Sequence, residues 1–421
     1  MAVKGGTRGR GRPAKKRVKT TYSSITEDRI SKLPDAVIVH ILSFLPTVDV
    51  VRTCILSKRW KFMWYSVPVL FFSDATTDFQ SPQGLEKFYK YVDDCLEHRK
   101  RVNARDLTIL ELEGLDLDAT YSIGLPALKT LSMKNFYFQH EKGDAVFKLL
   151  LDCPSLENLV LNLCGNMGTI GHLLPLQSLS LKFIKIENFE DAIPFQVEAV
   201  NLESLVLNGF MFEISNLSTC KAIRNLSLTF NSSVEDPASL EYLISNLPLL
   251  ENLTLEDCNE LKLENIKISN QQLRSFNLKN KYTKYDHGMN IIIESAPKLA
   301  FFCYEGDINF ILSIKSSNLL NGKFVISNLH ENYDPNWFTS MMVFLLNLNC
   351  SWKVITLHVH SDKDLVLSEN FKKICRSPLF NWKHLRVITD DKPEKESNLK
   401  DSLMWISPFL ETLSINEKVI L

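Results

Sequence analysis

The chain has 421 residues, 45% of them hydrophobic and 23% charged, which is enough apolar material for a large core and more than one globular unit. Its formal net charge of −1 hides an asymmetry: residues 1–20 carry eight bases and no acid, which leaves 40 bases against 49 acids, or −9, in the remainder. A mildly acidic body argues against a nucleic-acid-binding protein. Nine scattered cysteines with no CxxC pair point to neither a disulfide framework nor a zinc ribbon, and reduced thiols fit them best. No apolar leader follows Met1, and the longest uncharged run, Pro335 to Trp352, is broken by Asn347, Asn349 and Ser351, so neither secretion nor a membrane partner is expected.

Residues 1–26 lack an apolar period and are expected to be disordered. Within them Lys15, Lys16, Arg17 and Lys19 form a cluster of the kind read as a nuclear-import signal, because an extended chain presents several cations to acidic pockets. Arg10-Gly11-Arg12-Pro13 resembles the core of an AT-hook, in which Arg-Gly-Arg enters a narrow A·T minor groove. Import is the stronger of the two readings, since four residues in a low-complexity stretch carry little information. DNA is not expected as a partner, and the chain is placed in the nucleus, the cytoplasm or both.

Leu33 to Pro68 packs three helical patterns into a short stretch. Val37, Ile38, Ile41, Leu42 and Leu45 form the stripe of an amphipathic helix, with Pro34 in its first turn and Pro46 closing it. A second helix is predicted over Val48–Leu56, with Thr47 as N-cap and Asp49 in the first turn. A third, Ser57–Ser66, carries Trp60, Phe62, Met63, Trp64 and Tyr65. So small a unit cannot bury all of this, and the surplus faces either a partner or the rest of the chain.

Leu33-Pro34-Asp35, Ile41-Leu42-Ser43-Phe44-Leu45-Pro46, Leu56-Ser57-Lys58-Arg59-Trp60 and Trp64 resemble an F-box of the form common in plants, with Ala36 where the family usually has an acidic residue. The resemblance implies contact with a Skp-type adaptor, and through it with a cullin. The adaptor contact is expected from Leu33, Pro34, Ile38, Ile41, Leu42, Leu45, Pro46, Leu56, Ser57 and Trp60.

Leu85, Phe88, Val92, Cys95 and Leu96 predict one more helix before the basic turn His98–Arg101. A repeat then takes over, with LxxLxL segments starting at Leu107, Leu128, Leu156, Leu176, Leu202, Ile223, Leu250 and Leu273 and a degenerate copy at Leu299. From Leu128 the first positions are 28, 20, 26, 21, 27, 23 and 26 residues apart, the leucine-rich-repeat range. The fourth and sixth positions point into a shared core, and since no copy can bury its own leucines the copies must stack into a curved parallel sheet. Pro126, Pro154, Pro248 and Pro297 stand two residues ahead of a first position and end the preceding segment. The longer spacers, 144–152 and 237–246, read as helices. The outward positions are small and polar, a surface suited to hydrogen-bonding a protein.

From Asn309 the leucines fade. Strands are predicted over 323–329, 352–360 and 384–389, helices over 337–348, 367–375 and 398–406, and a last LxxLxL copy at Leu410. Trp382–Thr389 and Ser407–Ile415 resemble the FBD region of plant F-box proteins with leucine-rich repeats. The fold class is therefore α/β: a three-helix F-box (27–70), a linker helix (71–104), an irregular leucine-rich-repeat solenoid (105–306) and a capping region (307–421).

No phosphate-cradling glycine loop, HExxH helix or GxSxG elbow occurs, and no catalytic residue, metal or cofactor is expected. His358 and His360 share a strand face but lack a third ligand; Cys54 reads as a packed thiol and Asp93-Asp94 as a solvated helix face. The family resemblance implies a substrate receptor of a Skp–cullin–F-box ubiquitin ligase, whose repeats hold an unknown target protein. The alternative is a nuclear leucine-rich scaffold uncoupled from ubiquitination.

Overall fold

A computed structural model describes residues 30, 32–73, 82–101, 107–114, 124–137, 151–164, 174–188, 195–208, 217, 219–230, 237–257, 265–280, 289–308, 310–315, 320–326, 335–348, 352–378, 380 and 382–421. The basic tail, with Lys15, Lys16, Arg17, Lys19 and the Arg10–Pro13 string, lies outside these residues, as does most of the helix expected over 144–152.

The N-terminal unit is three short helices, α1 (Asp35–Leu42), α2 (Thr47–Arg52) and α3 (Lys58–Met63), with single 3₁₀ turns after α2 and α3. Pro34 and Pro46 are the N-caps of α1 and α2: each stands just outside its helix, where its carbonyl accepts from the first free backbone N–H groups. This corrects the expected role of Thr47. It is the first helical residue of α2, it is buried, and its hydroxyl accepts from the backbone N–H of Phe71 at 2.8 Å. Ser57 caps α3 by accepting from the Trp60 N–H at 3.3 Å. Arg59 reaches back to the start of the unit, donating from Nε to Asp35 at 2.8 Å and from Nη2 to the Leu33 carbonyl. The Leu-Pro-Asp and Lys-Arg-Trp strings, 24 residues apart in chain order, thus meet in one contact.

The chain then runs directly into a sheet. β1 (Val69–Ser73) pairs in parallel with β2 (Ile109–Glu113), and between them the helix α4 (Pro82–Arg101) buries Phe88, Val92, Cys95 and Leu96. The ladder continues through β3 (Thr130–Tyr137) and β4 (Asn158–Cys164). The short strands β5 (Leu174–Gln177) and β7 (Phe195–Glu198) pair separately, while β6 (Phe183–Asn188) follows β4 in the main sheet. Next come β8 (Ser204–Asn208), β9 (Asn225–Thr229) and β10 (Asn252–Glu256). β11 (Asn265–Ser269), β13 (Met289–Ser295) and β15 (Phe310–Ile314) form a second, three-stranded sheet. β12 (Ser275–Lys279), β14 (Phe301–Gly306) and β16 (Leu320–Ile326) extend the first. β17 (Trp352–Val359), β18 (His384–Thr389) and β19 (Thr412–Ile415) follow, and β20 (Lys418–Val419) closes the edge as an antiparallel neighbour. The main sheet thus has 15 strands among the described residues, as the stacking argument for leucine-rich repeats requires.

Six repeats begin with the same local device. The first-position N–H of Leu128, Leu156, Leu202, Ile223, Leu250 and Leu299 donates to the carbonyl three residues earlier, closing a β-turn. Pro126, Pro154, Pro248 and Pro297 occupy the second position of such turns, where a fixed φ is favourable. The residue opening each turn is buried, and in two repeats it is a cysteine, Cys153 or Cys220. Burial pushes the Cys153 thiol up to about 11, which marks it as core filling.

The residue after each first position alternates in charge along one rim: Lys129, Glu157, Lys182, Glu203, Arg224, Glu251 and Arg274. Glu157 pairs with Lys182 at 2.9 Å and Lys129 at 3.4 Å, and Glu251 with Arg224 at 2.6 Å and Arg274 at 3.5 Å. These pairs are exposed and each stabilises little, but alternation opposes any slip of one repeat against its neighbour.

Two sequence expectations change. The copy assigned to Leu176–Leu181 is out of frame. β6 pairs Ile184 with Leu159 and Ile186 with Leu161, so the true copy runs from Leu181 to Ile186; Leu179, expected in the core, is 76% exposed. Both frames satisfy LxxLxL, and only the neighbouring strand selects between them. The repeat also continues past Asn309, with one register shift between Leu320 and Asn321: Tyr304, Phe324, Leu357, Val387 and Ile415 occupy successive sixth positions and are all buried. It fades only as a leucine pattern, because aromatic side chains take over. Phe276, Phe302, Phe324 and Phe344 make a chain of ring contacts with centroids 5.5, 6.0 and 6.0 Å apart, and Trp352 meets Phe324 edge-on at 5.5 Å. The fourth position of β16 is Gly322 because the Trp352 ring fills its place: a Cβ there would lie 2.7 Å from the indole.

Candidate functional site

Among the described residues, apolar exposure is concentrated at the N-terminal unit. Ile30, Val37, Ile41, Phe44, Leu45, Ile55, Leu56 and Phe62 are all at least 40% exposed within 33 residues, with Ile55 at 88% and Phe44 at 75%. The other exposed large apolar residues are spread over the following 350 positions. Single surface leucines need no explanation, whereas a cluster of this density marks an interaction surface. The cluster is not the result of a missing core, since Ile38, Leu42, Val50, Trp60, Trp64 and Val67 already form a closed interior.

The ten residues expected to contact an adaptor divide accordingly. Pro34, Ile41, Leu45, Pro46, Leu56 and Ser57 are exposed, and Leu33 is half-buried. Ile38, Leu42 and Trp60 are corrected to interior residues: the helical stripe that made them look like anchors is the stripe that packs the three helices together. Sequence reasoning missed Ile30, Val37, Phe44, Ile55 and Phe62. Phe44 and Ile55 lie beyond the regular helical turns, where periodicity carries no signal.

The third helix divides by side. Phe62 faces outward at 61% exposure, whereas Trp64 is buried beneath Arg99 of α4, whose guanidinium carbon is 5.2 Å from the indole centroid. Arg99 is itself 1% exposed and donates from Nη2 to the Trp64 carbonyl and, at 2.7 Å, to that of Val67. Arg99, expected in the basic turn His98–Arg101, is therefore an internal clamp that fixes the helical unit to the solenoid.

The remaining chemical candidates become structural. His358 and His360 both donate to one carboxylate, Asp390, at 2.8 and 3.2 Å, which ties β17 to the turn after β18. Hydrogen bonding to Asp390 raises the His360 value, and the two imidazoles lower that of Asp390. Burial raises the Cys54 thiol, the opposite of activation. Among the described residues no cluster of three or more His, Cys, Asp or Glu could hold a metal ion, and no helix is long and apolar enough to cross a membrane.

Comparison with known proteins agrees with this geometry. Residues 30–72 match the F-box domain. An F-box/FBD/LRR-repeat protein of Arabidopsis thaliana is 27% identical over 301 residues, covering 70% of this chain and 57% of that protein. A second, also 27% identical over 298 residues, covers 57% and 66%, and an FBD-associated F-box protein of the same plant is 34% identical over 211 residues, covering 37% and 50%. The matches span between about half and two thirds of these relatives.

Proposed function

We propose that the chain, which carries an F-box domain over residues 30–72 and is similar to F-box/FBD/LRR-repeat proteins of Arabidopsis thaliana, is the substrate-recognition subunit of a Skp–cullin–F-box ubiquitin ligase. The cluster of exposed apolar side chains on a closed helical core carries this reading. It supplies an apolar docking face for a Skp-type adaptor, and the solenoid supplies a separate, polar concave face for a target protein. In this reading the chain performs no bond chemistry; it brings a target to a complex that does. It works in the nucleus, the cytoplasm or both, with Lys15, Lys16, Arg17 and Lys19 serving import.

The test is co-purification with a Skp-type adaptor and a cullin. Leu56→Asp and Phe44→Asp lie on the outer surface and should abolish capture, each apolar anchor in a partner pocket being worth about 2 kcal/mol or more, while leaving the unfolding of the repeats unchanged. Undiminished capture by both variants, or a wild-type chain that recovers no cullin, would favour a scaffold role.

A further inference from the structure

The first turn of α3 breaks a local rule. It holds Lys58 and Arg59 and no acid, although the N-terminal end of a helix dipole favours negative charge. The dipole gives no reason for an arginine at this place, and its partners supply one. Those partners lie 24 and 26 residues earlier in the chain: Nε donates to Asp35 Oδ1 at 2.8 Å, and Nη2 donates to the same oxygen and to the Leu33 carbonyl. Asp35, by contrast, stands where its own helix favours it, in the first turn of α1.

The contact fixes one part of the exposed apolar cluster against another. Ile30, Leu33 and Pro34 enter the unit ahead of α1, and the Leu33 N–H donates to the Ile30 carbonyl at 3.1 Å, which draws Ile30 beside it. Pro34 is exposed, Ile30 is 58% exposed, and Leu33 packs half-buried against the core. On the other side of the contact, Leu56 and Ser57 lead into α3 and Phe62 lies about one turn beyond Arg59; all three are exposed. Arg59 therefore stands between two stretches of the cluster that are far apart in sequence. The helices themselves are locked from within by Ile38, Leu42 and Trp60, whereas Ile30 and Pro34 precede the part of the chain that this interior grips.

We propose that Arg59 is a positioning residue for adaptor docking: it holds Ile30, Leu33 and Pro34 where they and Leu56 form one continuous docking surface. The proposal rests on the reading that this face takes a Skp-type adaptor, and it says how the face is kept in shape before the adaptor arrives. A surface already ordered at encounter avoids the cost of ordering its side chains during association. Arginine suits the task because its planar guanidinium meets a carboxylate and a carbonyl at fixed angles, which the point charge of a lysine does not. The Arg59 and Asp35 side chains are 37% and 63% exposed, so their pairing adds little to the stability of the whole chain. Its effect falls on where the entry residues lie. That separates Arg59 both from the outer anchors, which touch the adaptor, and from Ile38 and Trp60, which hold the helices together.

The test titrates the full chain with a purified Skp-type adaptor by calorimetry and follows the free chain by hydrogen exchange. Arg59→Ala should weaken adaptor affinity about tenfold, with thermal unfolding unchanged and exchange quickened in peptides covering 32–37 but not in those covering 38–64. Arg59→Lys should recover part of the affinity, since it keeps the charge but not the planar fork. A merely structural role would not produce the following coupling. Arg59→Ala combined with Leu33→Ala should lose little more than the weaker-binding single variant, because Arg59 acts through the entry residues, whereas its loss should multiply with that of Phe44→Ala. Affinity within about twofold of wild type in Arg59→Ala, losses that multiply equally with Leu33→Ala and Phe44→Ala, or exchange quickened throughout 38–64 would each overturn the proposal. A chain that shows this coupling with the adaptor yet recovers no cullin would count against the ubiquitin-ligase reading alone, and a wild-type chain that binds no adaptor would overturn both.

Discussion

Replacing Arg99 by methionine removes a charged side chain sealed between the F-box and the solenoid while nearly preserving its volume. The guanidinium is 1% exposed, donates to two backbone carbonyls and lies over the Trp64 ring. Hydrogen bonds from a charged donor contribute about 1.5–3 kcal/mol each, and a cation over a desolvated ring about 2. Against this stands the desolvation of the guanidinium itself, which methionine avoids. The Trp64 carbonyl keeps a second donor, the Val67 N–H at 3.2 Å, so the larger loss falls on the carbonyl of Val67. The balance is a local loss of about 3 kcal/mol, a factor of roughly a hundred in an opening equilibrium. Hydrogen exchange read by mass spectrometry should therefore show peptides covering 58–73 and 88–99 exchanging about a hundredfold faster in Arg99→Met, with β9 to β12 unchanged. Lysine should rescue only part of the protection, since it keeps the charge but not the fork. Exchange within about threefold of wild type would refute the clamp.

Two further outcomes follow from the C-terminal strands. Gly322→Ala places a Cβ 2.7–2.8 Å from the Trp352 ring and should cost about 1–3 kcal/mol by overpacking, read as a lower urea midpoint; Trp352→Leu in the same chain should recover much of the loss, and full stability of the single variant would refute the steric account. The His358–Asp390–His360 contact should be pH-dependent at both ends. His360 is raised above its ordinary 6.5 by its hydrogen bond to Asp390, so its contribution is present below that value and is lost as pH climbs through the folded one. Asp390 is lowered below its ordinary 3.8 by His358 and then His360, so its contribution is present above that value and is lost as pH falls through the folded one. Protection of residues 384–391 should thus peak between the carboxylate and imidazole ranges, and Asp390→Asn should flatten the profile; an unchanged profile would refute the coupling.

The helical unit was legible because two prolines and an apolar stripe mark its helices, whereas the capping roles of Pro34, Pro46 and Ser57 came from the structure. Which apolar residues face outward was not legible. Ile38 and Ile41 are equally hydrophobic and three residues apart, yet one is interior and the other is at the surface. The solenoid was legible wherever leucine marks the strand, and at Leu176 the pattern misled, because two overlapping frames obey it.

The sequence by itself determined that helices open the chain, that stacked parallel strands follow, and that the prolines begin the repeats. These are set by periodicity and backbone restriction, which act over a few residues. Only the tertiary structure decided the frame of β6, the burial of Arg99, the aromatic continuation through Phe324 and Trp352, and the meeting of Arg59 with Leu33 and Asp35. Each of these depends on which strand or helix lies alongside, a contact between residues more than 20 positions apart that no local pattern encodes.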